Sequence, residues 1–455
     1  MDTFDQDPFG QVEAGQIAAP MPPAGGNRTR KLVLGGLIAL AVIAIAAVAF
    51  ATMNAGRSND GAESPEAAMQ KLFDGLSGED LIGAVDAFLP SEADPVVNYT
   101  GAIGTELKRL DILTEGVDPQ AVSGINMEFT DLQFRTEPIA DGFVRVYVTD
   151  GDYFVDIDQA ELPLGDVILD NLPADARAEF DQDLPAEAGS MAGEDFYMVA
   201  VEEDGGWYLS LWYTMMDAIF TETGYGTPAF GSGITPVGAE SPEAAVRASF
   251  EELLSLDLEG LIGMLPPTEM RAVYDYMPLV MDDYNETVGA FGSFVTIELI
   301  DLGTSVSDAE FDAKRVKVES FDIEFSSFFL EIDGSLVFDG ECFEIEINDQ
   351  AGNLSGFGAE IPDRINSCDP ELADALGGGF SGGLTQPDMP DFVGDIGAAN
   401  IGFLAVEEDG RWYVSPTESM GDVMLQGLKI WDAETLQQYI EWIIEVGAGS
   451  ADLSF

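Results

Sequence analysis

From Leu32 to Met53 the chain runs for 22 residues without a charged side chain, dominated by Leu, Ile, Val and Ala. At ~1.5 Å per residue such a helix crosses a ~30 Å hydrocarbon core, so the pattern predicts a transmembrane helix with flanks over 28–57. Arg28, Arg30 and Lys31 precede the run and only Arg57 follows closely, which by the positive-inside bias puts the N-terminus in the cytoplasm. Residues 1–27 show no apolar period and contain Pro20, Pro22, Pro23 and scattered acids, reading as a disordered cytoplasmic tail. Ala49-Phe50-Ala51 resembles a signal-peptide cleavage site. A leader of 31 residues with acids, and an apolar run longer than the usual ~7 to 15, favour an uncleaved anchor instead. The expectation is a single-pass protein of the cytoplasmic membrane, with the bilayer as one partner and the bulk of the chain extracytoplasmic.

The exported part is organised by repetition. Glu63-Ser64-Pro65-Glu66-Ala67-Ala68 recurs as Glu240-Ser241-Pro242-Glu243-Ala244-Ala245, and 200–210 recurs at 405–415 with nine of eleven residues identical. These landmarks lie 177 residues apart at the start and 205 at the end, so the second copy carries 28 additional residues. Two α+β repeats follow, 62–225 and 239–455, joined by a Gly- and Pro-containing linker at 226–238.

Each copy opens with a helix. Ser64 and Ser241 suit the N-cap, Pro65 and Pro242 the first turn, and Glu66 and Glu243 the positive helix end. Ala68, Met69, Leu72, Phe73 and Leu76, matched by Ala245, Val246, Ser249, Phe250 and Leu253, form a core-facing stripe at helical spacing. A second short helix carries Leu81, Ile82, Val85, Phe88 and Leu89; a third is expected over Val96–Leu110, and around Met270–Tyr284 with a break near Pro278. The period then changes to two. Strands are predicted near Ile125–Phe134, Phe143–Thr149, Phe196–Glu202, Val295–Leu302, Arg315–Phe321, Cys342–Ile347 and Ile401–Val406. Asp204-Gly205 and Asp409-Gly410 have the chemistry of tight hairpins, so Trp207 and Trp412 head closing strands and read as sheet packing rather than ligand stacking.

Charge narrows the function. With 84 Asp plus Glu against 18 Lys plus Arg the formal net charge is -66, and such a polyanion repels nucleic-acid phosphates. The absence of histidine removes Ser-His-Asp and Cys-His relays and imidazole metal sites. An apolar content of 46% separates the chain from disordered acidic tails. The excess suits a surface kept hydrated in a saline medium, where at 1 M salt the Debye length is only ~3 Å. The basic island Lys314-Arg315-Lys317 falls in a strand, with its two lysines expected on one face opposite neighbouring acids. Cys342 and Cys368, both exported, predict a disulfide whose loop contributes about 3 kcal/mol in the chain-entropy model.

The Ser-Pro-Glu-Ala-Ala helix start with its following Phe, and the terminal Asp-Gly-x-Trp-Tyr hairpin, resemble bacterial envelope proteins of the nuclear transport factor 2-like, or cystatin-like, cone fold. The resemblance implies tandem cone-like domains in which leading helices pack on a curved antiparallel sheet. The family holds isomerases, dehydratases, small-ligand binders and assembly modules, so fold does not choose a function.

Candidate chemistry is sparse. The family's isomerases use a pocket Asp with an oxyanion donor such as Tyr, but no residue here matches that pattern, so no catalytic residue or cofactor is assigned. Asp150, Asp152, Asp156, Asp158 and Glu161 form an oxygen-rich cluster that suggests calcium without the spacing of an EF-hand, and a solvated acidic loop is the preferred reading. Leu436, Tyr439, Ile440, Ile443 and Ile444, with Trp431 and Trp442 nearby, form a C-terminal helical stripe expected to pack on its own domain, with partner docking as the alternative. The expected function is non-catalytic binding or scaffolding of an envelope protein partner; the alternatives are carriage of a small apolar ligand inside the cones and, less favoured, a carboxylate-based isomerase.

Overall fold

The computed structural model describes residues 60–78, 80–115, 124–171, 177, 186–193, 196–292, 294–328, 331–349, 364–368 and 400–440. The first copy contains helices α1 (Pro65–Ser77), α2 (Leu81–Val85) and α3 (Pro90–Arg109), strands β1 (Ile125–Ala140) and β2 (Phe143–Ile157), helix α4 (Asp166–Asn171), strands β3 (Glu187–Ser190), β4 (Tyr197–Glu203) and β5 (Gly206–Ser210), and helix α5 (Leu211–Thr223). The second contains α6 (Pro242–Leu254), α7 (Leu258–Gly263), α8 (Arg271–Tyr276), a 3-10 turn at Met277–Leu279 and α9 (Met281–Gly292). Strands β6 (Val295–Asp308), β7 (Lys314–Ser327), β8 (Ile332–Phe338), β9 (Phe343–Asp349), β10 (Arg364–Asn366), β11 (Phe403–Glu408) and β12 (Arg411–Val414) follow, then α10 (Pro416–Ile430) and a helical run at 433–440. Among the described residues no helix is long and apolar enough to cross a membrane. The run Leu32–Met53 and the tail before it lie outside the described residues.

Local chemistry accounts for the landmarks. Ser64 Oγ accepts from the Ala67 amide at 3.1 Å and Ser241 Oγ from the Ala244 amide at 3.2 Å, with Pro65 and Pro242 in the first helical turn, where a missing N–H costs nothing. Asp204 and Gly205 have φ of 52° and 83°, and Asp409 and Gly410 51° and 79°. Two successive positive φ values are what a type I′ hairpin requires. The two ends of each copy then meet. Ala62 and Trp207 exchange both backbone hydrogen bonds, at 2.8 and 2.9 Å, as do Ala239 and Trp412 at the same distances. A Cβ on Gly206 would lie 2.6 Å from Gly61 Cα, so this close backbone approach excludes a side chain there.

Both sheets are antiparallel, giving an α+β fold. The first runs β1-β2-β4-β5 with β3 added to the distal part of β2, and the second β10-β9-β8-β7-β11-β12 with β6 on the other edge of β7. α1 fills one face of the first sheet, with Ala68, Met69 and Phe73 against Val146, Val148, Met198, Ala200 and Leu209. On α6, Val246 and Phe250 pack likewise against Val316, Ala405 and Trp412. Val199 and Val201 point to the other face and meet Tyr213, Met216 and Phe220 of α5. A strand covered on both faces has no polar side, hence the unbroken apolar run at 198–201. The added length of the second copy includes β9 and β10; Cys342 and Cys368 are disulfide-bonded there with Cα atoms 5.6 Å apart.

Three expectations need correction. The segment 226–238 is docked rather than a free tether: Phe230 stacks on Phe143 at 4.1 Å, and Ile234 is buried among Ile262, Met270 and Tyr274. The two lysines of the basic island do not share a strand face, because positions three apart alternate. Lys314 pairs with the exposed Asp308, while Arg315 is the buried cation. Finally, helices were not expected immediately after the closing hairpins. α5 is apolar almost all round, which erases the 3.6 period in its sequence.

Candidate functional site: the junction of the two copies

The post-hairpin helices bring the copies together. Ser210 and Ser415 cap α5 and α10, accepting from Tyr213 N at 2.9 Å and Glu418 N at 3.1 Å. Each cap is held by a buried glutamate from the third-helix region of its own copy. Ser210 Oγ donates to Glu92 Oε1 and Leu211 N to Glu92 Oε2 at 2.7 Å; Ser415 Oγ donates to Glu269 Oε2 at 2.6 Å and Thr417 N to Glu269 Oε1 at 3.1 Å. The carboxylates complement the positive helix ends. Burial nevertheless dominates, pushing Glu92 up to about 7 and raising Glu269.

Two turns further on, each helix presents a buried aspartate to an arginine. Arg145 of β2 grips Asp217 through Nε–Oδ2 at 2.6 Å and Nη2–Oδ1 at 2.8 Å, and Arg315 of β7 grips Asp422 through the same atoms at 2.7 and 2.6 Å. Such forks are charge-assisted and fix orientation. Each pair also meets the other copy's tyrosine. Tyr276 of α8 donates to Asp217 Oδ1 at 3.0 Å, while Tyr99 of α3 sits beside Glu418 and Asp422 of α10 and is driven upward in pKa by burial and by both carboxylates. Tyr99 and Tyr276 stand 177 residues apart and Asp217 and Asp422 205 apart, the offsets of the sequence landmarks. The copies therefore interlock reciprocally. Leu404 and Leu425 join the first copy's Val97, Tyr99 and Ile103 in one core, and Ala272 and Tyr276 join Val199, Tyr213 and Phe220 in another.

The halves are not equivalent in their polar detail. Asp217 Oδ2 accepts a second bond from Tyr197 at 2.9 Å; in the second copy Gly402 takes the place of Tyr197, and Gln426 donates to Asp422 Oδ1 at 3.1 Å. Tyr213 donates to Asp275 Oδ2 at 2.6 Å, whereas its counterpart is Glu418. The Tyr99 hydroxyl and Glu418 Oε2 are buried without a hydrogen-bond partner, though each is near enough to shift the other's ionisation. Desolvation pushes Glu418 up to about 7.

The outer faces of the same two helices are apolar. Leu211, Met215 and Ile219 are exposed at one-turn spacing on α5, and Met420, Val423 and Met424 on α10, with Met420 70% exposed. Met215 and Met420, and Ile219 and Met424, occupy equivalent positions. Beside α10 lies a groove of about 430 Å³ lined by Val318, Ile401, Gly402, Phe403, Ser419, Met420 and Val423.

The sequence-derived residues fall elsewhere. Ser64, Pro65, Ser241, Pro242, Trp207 and Trp412 are structural joints, and Leu32 and Met53 lie outside the described residues. Asp150, Asp152 and Asp156 are strung along β2, Asp158 and Glu161 follow it, and at ~3.3 Å rise per residue they do not converge on one ion. Among the described residues no group of three or more potential ligands could hold a metal. Leu436 and Tyr439 of the C-terminal stripe are buried, Tyr439 against Trp431; Trp442, Ile443 and Ile444 lie outside the described residues. Sequence reasoning missed Glu92, Glu269, Arg145, Asp217 and Asp422. The signal available was the pair of offsets, 177 and 205, at which Glu, Tyr, Ser and Asp recur.

No family model, curated protein or solved structure matches this chain.

Proposed function

We propose that this chain is a non-catalytic, membrane-anchored extracytoplasmic binding or scaffold protein of the bacterial envelope, with N-terminus inside and a protein partner outside. The observation that carries the proposal is the exposed apolar face present at equivalent positions on α5 and α10. On a chain with net charge -66, clustered exposed Met, Ile and Leu mark contact sites, and methionine adapts its shape to a partner. Two related faces on one tether raise the effective concentration for a bivalent partner. Both sheets carry their own leading helix on one face, which favours this reading over a ligand held inside a hollow cone. Buried Asp217 and Asp422 are committed to arginines, and Asp275 to the Tyr213 hydroxyl and the Gly231 amide, which favours it over a carboxylate isomerase. Native mass spectrometry of full-length protein released gently from its own membrane tests it. A reproducible second polypeptide is expected; a bound species of a few hundred daltons, or the bare chain alone, overturns it.

A further inference from the structure

Four Asn-x-Ser/Thr triplets occur in the chain, at Asn27-Arg28-Thr29, Asn98-Tyr99-Thr100, Asn285-Glu286-Thr287 and Asn353-Leu354-Ser355. In an exported protein this triplet is the acceptor of N-linked glycans, whose bulk requires a surface position. The first and last triplets lie outside the described residues. The structure separates the other two. Asn98 is half-buried on α3, with Val97, Tyr99 and Thr100 buried around it. Thr100 Oγ1 donates to Val97 O at 2.8 Å, and Tyr99 packs so closely on α10 that a Cβ on Gly421 would lie 2.5 Å from its Cγ. That triplet is locked into the junction of the copies.

Asn285 stands in the opposite situation. Helix α9 is held to the body by buried Met281, by the Tyr284 hydroxyl donating to Leu256 O at 3.1 Å and by the Tyr225 hydroxyl donating to Asp283 Oδ2 at 2.8 Å. Asn285, Glu286 and Thr287 are all exposed. Positions four apart share a helix face, and a Cβ on Gly289 would meet nothing within 4 Å, so open space continues along the face that carries Asn285. The helix is also weak from this point on, because β-branched Thr287 and Val288 are followed by Gly289 and Gly292. Its last turns open at low cost, which frees the triplet for an enzyme.

We propose that Asn285 is an N-glycosylation site, loaded from a lipid-phosphate-linked sugar of the same membrane by a transferase on its outer side. This rests on the exported placement of the domains given above. In the transfer the Asn285 amide nitrogen bonds to the anomeric carbon of the sugar as the bond from that carbon to a phosphate oxygen breaks. The lipid phosphate leaves with the bonding electron pair, and the amide gives up one proton to water. The Thr287 hydroxyl, two residues on, completes the acceptor. The folded protein then carries the glycan outward from α9, away from the core that Met281 and Tyr274 share.

The test is mass spectrometry of peptides from the full chain, purified from its own membrane and cleaved after Lys and Arg. This releases 272–314, in which Asn285 is the sole asparagine, and 72–108, in which Asn98 is. The first peptide is expected to carry a glycan mass with sugar fragment ions, and the second its plain mass. Asn285→Gln and Thr287→Ala, both at exposed positions, should each remove the added mass, while Thr287→Ser should keep it. A peptide 272–314 found only at its plain mass, an added mass that survives Asn285→Gln, or a glycan on Asn98 each overturn the proposal. Protease added to intact cells, from which any outer membrane has been stripped, tells the two readings apart. If the domains are digested while 272–314 is plain, the exported placement stands and the glycan falls; if they are protected, both fall.

Discussion

Replacing Glu418 by glutamine should stabilise the protein above neutral pH and leave it unchanged in acid. The side chain is buried on α10 facing Tyr99, Glu269 and Asp422, and its Oε2 has no hydrogen-bond partner. Desolvation, reinforced by the two neighbouring carboxylates and opposed by Tyr99, raises its pKa from 4.5 to about 7. A carboxyl whose folded pKa exceeds its unfolded value supports the fold fully below the unfolded value, and that support is lost as pH rises through the folded one. The shift corresponds to about 3 kcal/mol, with a slope approaching ~1.4 kcal/mol per pH unit inside the window from about 4.5 to 7. Glutamine keeps the shape and removes the ionisation. Urea unfolding of the full chain in detergent micelles, followed by tryptophan fluorescence from pH 4 to 8, reads the effect. The wild type should lose stability with rising pH through the raised glutamates Glu92, Glu269 and Glu418, and Glu418→Gln should show a distinctly shallower slope. Equal slopes for wild type and variant would refute the reasoning, because the carboxyl would then be hydrated in the native state.

The two exchanged tyrosines should respond differently to loss of their hydroxyls. Tyr276→Phe removes a 3.0 Å bond to buried Asp217 and should cost about 1–3 kcal/mol in the same urea assay. Tyr99→Phe removes a buried hydroxyl without a partner and should leave stability unchanged or raise it by up to about 1 kcal/mol; a cost equal to that of Tyr276→Phe would contradict the asymmetry. Reducing the Cys342–Cys368 bond should speed hydrogen exchange in β9 and β10 while leaving β4 and β5 protected, since the bond closes a segment at the sheet's far edge. Gly410→Ala puts a Cβ at φ 79° with open space around it, so strain alone should cost about 1 kcal/mol, visible as a lower urea midpoint.

The sequence by itself determined what depends on short-range pattern. The N-caps at Ser64 and Ser241, the positive-φ turns at Asp204-Gly205 and Asp409-Gly410, the passage in each copy from leading helices to antiparallel strands, the pairing of Cys342 with Cys368 and the duplication were all legible. Each is set by residues within a few positions of one another, by repetition, or by there being only two cysteines. Only the tertiary structure decided which polar groups meet. Glu92 reaches Ser210 across 118 residues, Arg145 reaches Asp217 across 72, and Arg315 reaches Asp422 across 107. Among 84 acids any such pairing is one of many, and burial rather than spacing selects it. The interlock of the copies is equally long-range. A third helix was readable over Val96–Leu110, but that its core is shared with the other copy follows from how two sheets, each covered on one face by its own leading helix, share the helices on their remaining faces.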